Sequence, residues 1–125
     1  MKLKKFFFKK VKSTNNTAMR LIRSGIKNGI ISSEIQTKGK GQRGNKWISS
    51  KGNLFLTIFF QEDNNLSLKK ITNINLYIIK RIIKNLVKAK IYIKLPNDIL
   101  LNKKKVCGIL QEIVFRNNLK YLIVG

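Results

Sequence analysis

Apolar residues along the chain gather in short blocks divided by polar and glycine-rich stretches. Lys4 to Val11, centred on Phe6, Phe7 and Phe8, reads as a strand. Ser13, Thr14 and Asn15 are helix-capping types, and Ala18, Leu21, Ile22 and Ile26 then recur at i, i+3, i+4 and i+8. That spacing predicts a helix with one apolar face, its frayed end marked by Gly25 and Gly29. A strand follows over residues 31–35. Residues 53–60, NLFLTIFF, carry no charge and predict a strand buried on both faces. Residues 68–89 predict a long amphipathic helix, with Ile71, Ile74, Ile78, Ile82 and Leu86 facing inward and Lys80, Lys84 and Lys88 facing water. Ile91, Ile93 and Leu95 alternate as a strand stopped by Pro96. Beyond it a hairpin is expected: residues 99–101 as one arm, Asn102-Lys103-Lys104 as the turn, residues 105–115 as the other arm. Arg116-Asn117-Asn118 makes a further turn before a last strand, Leu119 to Val124. The order β-α-β-β-α-β-β-β-β predicts an α+β or α/β fold with a mixed, largely antiparallel sheet and helices on one side. No repeat or linker divides residues 1–125, so one domain is expected. The apolar strand at the very end has nothing after it to cover it, which predicts a fold incomplete at the C-terminus.

Composition narrows the chemistry. With 43% apolar residues in 125, the chain can bury one core. One cysteine and no histidine exclude an internal disulfide and a cysteine–histidine zinc site, and a reducing, cytoplasmic location fits. No apolar run approaches membrane-spanning length, and MKLKKFFFKK has too few consecutive apolar residues for a secretory leader. The net charge of +22 points first to phosphate neutralisation by a nucleic-acid-binding protein. Yet the chain is rich in Lys, Asn and Ile together, residues with A/T-rich codons, and its lysines are spread end to end. Codon bias accounts for that pattern, so neither a specific nucleic acid nor a membrane is expected as partner.

The segment GKGQRG, Gly39 to Gly44, matches the dinucleotide-binding pattern G-x-G-x-x-G, but its context does not. That pattern requires a helix opening on the glycines, and residues 45–53 run instead into Lys51-Gly52-Asn53 turn chemistry. Three polar and glycine-bearing segments remain, each at the end of an expected strand: Ser13-Thr14-Asn15, residues 36–47, and residues 94–108. They hold no histidine base and no carboxylate pair, so Ser–His covalent catalysis and acid–base hydrolysis are poorly supplied. Lys40 and Arg43 on a glycine loop, with Lys94 and Lys105 from another segment, suit the joining of two anions, whose mutual repulsion is the main barrier.

These segments resemble the catalytic domain of biotin protein ligases. Ser13-Thr14-Asn15 is similar to that family's S-T-N after the first strand, and Gln36 through Leu54 to its glycine-rich biotin loop. KLPND, Lys94 to Asp98, is similar to K-W-P-N-D, and Asn102 through Glu112 to N-x-[RK]-K-[LIV]-[AGC]-G-[IV]-L-x-E. The four occur in order across nearly the whole chain. The resemblance implies a biotin/lipoate ligase-like catalytic domain, related in fold to class II aminoacyl-tRNA synthetases. It implies that biotin and ATP, with Mg²⁺, give biotinyl-AMP, and that biotin then passes to a lysine on the biotin carboxyl carrier protein of acetyl-CoA carboxylase. By the same resemblance Ser13, Thr14, Asn15, Gln36, Gly39, Lys40, Gly41, Gln42, Lys105 and Gly108 bind biotin. Lys40, Arg43, Trp47, Lys94, Asn97 and Asp98 serve the nucleotide, Gly39 to Gly44 form a lid, and Lys105 is catalytic. No metal-ligand set is assigned among the residues.

Departures stand beside the match. Lys40 occupies a position where many bacterial members carry Arg, Leu95 replaces the usual Trp, and Lys12 precedes the S-T-N segment where Asp or Glu is common. The family's G-x-N segment and C-terminal β-barrel, and the N-terminal DNA-binding domain of its repressor-type members, are not found in these residues. A homodimer is left open. So are three other readings: a lipoate ligase, a basic nucleic-acid-binding module, and an inactive remnant of a ligase.

Overall fold

The computed structural model describes residues 2–125. In chain order the elements are β1 Lys4–Val11, α1 Thr14–Arg23, β2 Asn28–Gln36, β3 Phe55–Gln61, α2 Leu68–Leu86, β4 Ile91–Lys94, β5 Asp98–Leu101, β6 Lys104–Gly108, β7 Gln111–Arg116 and β8 Leu119–Val124. A single 3₁₀ turn covers Gln42–Gly44. They form two compact units: the chain to Asn64 with Leu110–Gly125, and Asn65–Ile109. The class is α+β, with the strands divided between two sheets rather than joined in one.

The first unit holds the sheet β1-β2-β3-β8-β7. β1 and β2 run parallel across α1, and every other pairing is antiparallel. The helix begins where Ser13, in extended conformation, accepts from the Asn16 N–H on its Oγ at 3.2 Å. It stops at Gly25, whose φ of +99° is left-handed. Ala18 and Ile22 from the helix pack with Ile31, Phe59, Tyr121 and Ile123 to form the core, and Phe6, Phe8, Met19, Leu21, Ile26 and Val114 lie against it. Gly29, expected at the frayed helix end, lies inside β2 instead. A Cβ there would come within 2.8 Å of the Phe6 ring and 2.9 Å of the Phe59 ring, so the strand needs a glycine to pass between them. β3 is buried on one face only: Phe55, Thr57 and Phe59 are inside, whereas Leu56, Ile58 and Phe60 are half-buried. The final strand is not an open edge. β8 lies between β3 and β7, with Val124 paired to Ile58 on one side and Gln111 on the other.

The second unit sets α2 beside the antiparallel sheet β4-β5-β6. Of the expected inward stripe of α2, Ile71 is half-buried and the rest lies on the outer face. Leu76 is its buried residue, Ile79 and Ile83 are half-buried, and Ile74, Ile78, Ile82 and Leu86 are exposed. β5 and β6 are joined by Asn102 and Lys103, both with positive φ (48° and 67°), the signature of a tight type I′ hairpin turn. The long second arm expected over residues 105–115 is two strands in two sheets. β6 ends at Gly108, and β7 begins at Gln111 in the first unit. Asn97 marks the break, its carbonyl accepting from Ile109 N–H at 3.0 Å and its Nδ2 donating to Ile109 O at 3.0 Å.

Candidate functional site

In the first unit the start of α1, the end of β2, the glycine segment and β7 meet in one polar network. Ser13, Thr14 and Asn15 are buried, which is costly for polar groups unless they are satisfied. Gln36, the last residue of β2, accepts on Oε1 from Thr14 N–H at 2.8 Å and Thr14 Oγ1 at 3.1 Å. Its Nε2 donates to Ser49 Oγ at 3.2 Å. Thr57, fully buried on β3, has its Oγ1 2.8 Å from Thr14 Oγ1 and 2.7 Å from Asn15 Oδ1. Asn15 Nδ2 donates to Leu110 O at 3.2 Å and to Glu112 Oε2 at 2.9 Å. These two neighbours only accept, which fixes the orientation of the Asn15 amide.

The glycine segment is a short hairpin. Trp47 N–H donates to Gly39 O at 2.9 Å, Gly41 N–H to Asn45 O at 2.7 Å, and Asn45 N–H to Gln42 O at 3.0 Å. Gly39 is required by close approach: a Cβ there would collide with Ser49 Oγ and the Trp47 carbonyl. At the hairpin tip Arg43 is left-handed (φ 54°) and exposed, while Gly41 and Gln42 are half-exposed. Lys40 points back to the network. Its Nζ lies 3.0 Å from Glu112 Oε1 and 3.3 Å from Oε2, a half-buried ion pair. Three side chains of this network, Ser49, Thr57 and Glu112, are not among the site residues expected from the sequence. Thr57 was read only as core, and Glu112 only as the last letter of a motif. An uncharged hydroxyl inside an otherwise apolar strand was the available signal for Thr57.

The other expected residues lie in the second unit. Asp98 opens β5, and its Oδ1 is 2.9 Å from Lys105 Nζ on β6, in ion-pair contact without hydrogen-bond alignment. Lys105 pairs in register with Leu100, so it shares a sheet face with Asp98 two residues along. Lys94 ends β4 opposite Asp98 and is exposed, and Gly108 pairs with Asp98 across β5–β6. Cys107 lies beside this pair. Burial pushes its thiol pKa up first, the Asp98 charge adds to the rise, and Lys105 pulls it back. The raised pKa keeps the thiolate fraction small at neutral pH, so Cys107 should react slowly with a disulfide reagent and faster as pH rises. Asp98→Asn is expected to speed that reaction and Lys105→Ala to slow it. Equal rates in both variants would place the Asp98 and Lys105 charges away from the thiol.

Among the described residues no three acidic, cysteine or histidine side chains cluster to hold a metal, and no helix is long and apolar enough to cross a membrane.

The sequence profile of the biotin/lipoate A/B protein ligase family matches residues 7–125. The chain belongs to that family. As a member of the biotin/lipoate A/B ligases it is 29% identical over 121 residues to the bifunctional ligase/repressor BirA of Bacillus spizizenii. That match covers 92% of this chain and 37% of the relative. It is 33% identical over 85 residues to BirA of Escherichia coli, covering 64% of this chain and 26% of that protein. In structure it is similar to biotin acetyl coenzyme A carboxylase synthetase from Helicobacter pylori, solved with bound biotinylated ATP. There the TM-score is 0.80 at 21% identity, covering 98% of this chain and 60% of that one. This ligase-family chain therefore spans about a third of the curated relatives it matches, and its fold is that of biotin protein ligases.

Proposed function

We propose that the chain activates biotin with ATP and donates it to a lysine of a biotin carboxyl carrier domain. The observation that carries this reading is the network in which Gln36 joins the buried Thr14, Asn15 and Thr57, tied through Glu112 to a hairpin bearing Lys40. A ureido ring offers one carbonyl acceptor and two N–H donors, and a buried site leaving any of them unpaired loses about 1–3 kcal/mol each. Ser13 Oγ accepts from Asn16, so its own hydroxyl hydrogen can be offered to a ureido carbonyl. Gln36 Nε2 has a second hydrogen beyond the one given to Ser49.

In the first step a biotin carboxylate oxygen attacks the α-phosphorus of ATP. The bond to pyrophosphate breaks, and pyrophosphate carries away the charge. By the family resemblance Lys40 and Arg43 are assigned to the carboxylate and phosphates, as are Lys94 and Lys105, with the main share of the electrostatic work given to Lys105. Trp47, Asn97 and Asp98 are assigned to the nucleotide. In the second step an uncharged lysine amine attacks the acyl carbon, AMP leaves with the bonding electrons, and the nitrogen releases a proton to water to give the amide. Mg²⁺ is bound in many nucleotide sites through one or two carboxylates plus the substrate's own phosphates. Asp98 provides one such carboxylate, already paired with Lys105, so a metal here would travel with the nucleotide.

The test is pyrophosphate release with ATP and either biotin, lipoate or octanoate, together with streptavidin detection of a carrier domain from acetyl-CoA carboxylase. Release is expected with biotin alone, followed by labelling of the carrier. Release with lipoate and not biotin would move the chain to the lipoate branch. A folded chain that neither releases pyrophosphate nor binds biotin by calorimetry would end the proposal.

A further inference from the structure

The contacts of the first unit close on themselves. From Gln36 they run through Ser49, Trp47 and Gly39 to Lys40, cross to Glu112 and Asn15, and return through Thr57 and Thr14 to Gln36. Most of this ring is made by neutral groups. The one charged link is the Glu112 carboxylate, which takes Asn15 Nδ2 on Oε2 and Lys40 Nζ on both oxygens. It joins segments 97 and 72 residues away in sequence. We propose that Glu112 is a positioning residue that fastens the glycine hairpin to the start of α1 by holding Lys40 and Asn15 on one carboxylate.

Charge scarcity strengthens the assignment. The chain has five acidic residues against 27 lysines and arginines, so most of its cations have no carboxylate within reach. A half-buried pair in which the acid also accepts a buried amide is therefore a specific arrangement rather than a random surface contact. Fixing a long lysine side chain costs conformational entropy, and exposed pairs seldom repay it. Here Asn15 also holds the carboxylate, and Gly39, Gly41 and Gly44 leave the hairpin little stiffness of its own. Without the anchor the hairpin would keep its neutral bonds but lose its tether to β7. The consequence is directional: Lys40 is held on the side of the hairpin that faces the Thr14–Asn15 polar groups, while Arg43 stays at the exposed tip. The inference rests on the biotin reading only for what the hairpin closes over.

The experiment uses the ligand-free chain, so its failure is separable from failure of the biotin reading. Glu112→Gln keeps a carbonyl acceptor for Asn15 Nδ2 and removes only the charge that holds Lys40. Amide exchange at Gly41, Asn45 and Trp47 should rise about tenfold, while β2 and β3 amides stay unchanged as an internal control. Trp47 is the one tryptophan of the chain, so its emission should shift to longer wavelength as the hairpin loosens. Lys40→Met should reproduce both changes from the other partner, and the double variant should add nothing to the larger single effect. Unchanged hairpin exchange and emission in the single variants would overturn the proposal. So would additive effects in the double variant, or an equal rise in β2 and β3, which would make Glu112 a general support of the fold.

Discussion

Lys105→Ala lowers the rate of biotin-dependent pyrophosphate release by about 10²–10³, the cost of removing one preorganised charge from a reacting anion pair. The expectation rests on placement rather than on charge alone. Lys105 is exposed like its neighbours, but its Nζ lies 2.9 Å from Asp98 across a hairpin closed by a tight turn, a contact that favours one position of the ammonium group. Its neighbours provide the control. Lys103 sits in the turn and Lys104 opens β6, and both are exposed. Solvated charges of that kind contribute little to a local interaction, so Lys103→Ala and Lys104→Ala should each leave the rate within about twofold. Asp98→Asn should lower the rate less than Lys105→Ala, because it loosens the lysine without removing it. Equal losses in all three lysine variants would show that bulk positive charge is sufficient, and the assignment to Lys105 would fall.

Local patterns carried part of the fold at both ends of the chain. β1 and β8 have the bounds that composition predicts, because a block of aromatic and β-branched residues ended by polar ones leaves few alternatives. The helix start was legible too, since a cap is a local device and Ser13 performs it with a neighbour three residues away. The failures came where the deciding contacts are distant. In VCGILQEIVF only Gly108 and the polar pair Gln111-Glu112 interrupt the apolar run, and neither announces a change of sheet. The change is imposed by Asn97 binding Ile109 and by Gly125 pairing with Leu110. α2 carries isoleucines at helical spacing on more than one face, so periodicity alone could not choose Leu76 over Ile74 and Ile78 as the inner side. In the site, the residues at strand ends with small polar side chains stood out by type. Thr57 did not, because a strand buried against a helix reads as core whichever hydroxyl it hides. Glu112 could be seen as a rare acid in a basic chain, yet its partners lie 72 and 97 residues upstream, beyond the reach of any local pattern.

The Asn15–Glu112 contact yields the largest expected effect on stability. Asn15→Asp changes one amide nitrogen to oxygen with almost no change in shape. The oxygen that accepts from Thr57 is kept. The atom replaced is the one that donates to Leu110 O at 3.2 Å and to Glu112 Oε2 at 2.9 Å, so the variant places a buried carboxylate oxygen against two acceptors, one of them charged. Two carboxylates this close cannot both ionise without penalty, and the pair is expected to share a proton. Lys40, in contact with both Glu112 oxygens, offsets part of the repulsion and no more, since it is already bound to that carboxylate. At neutral pH the destabilisation should be about 3 kcal/mol, the scale of an uncompensated buried charge. The sign of its pH dependence follows from the direction of the shift. The pair's pKa in the folded state lies above the unfolded carboxylate value of about 4. The folded variant therefore holds its proton more tightly, the penalty is small below that unfolded value, and it grows as pH rises until the folded-state value is passed. Urea unfolding of the variant and the parent chain, followed by circular dichroism at about pH 4 and pH 8, measures the difference at each end. A gap that widens toward pH 8 confirms that the Asn15 amide faces Glu112. The same gap at both values would mean that the substituted atom lies away from the carboxylate, and the ring of contacts that ties the glycine hairpin to helix α1 would be open at that point.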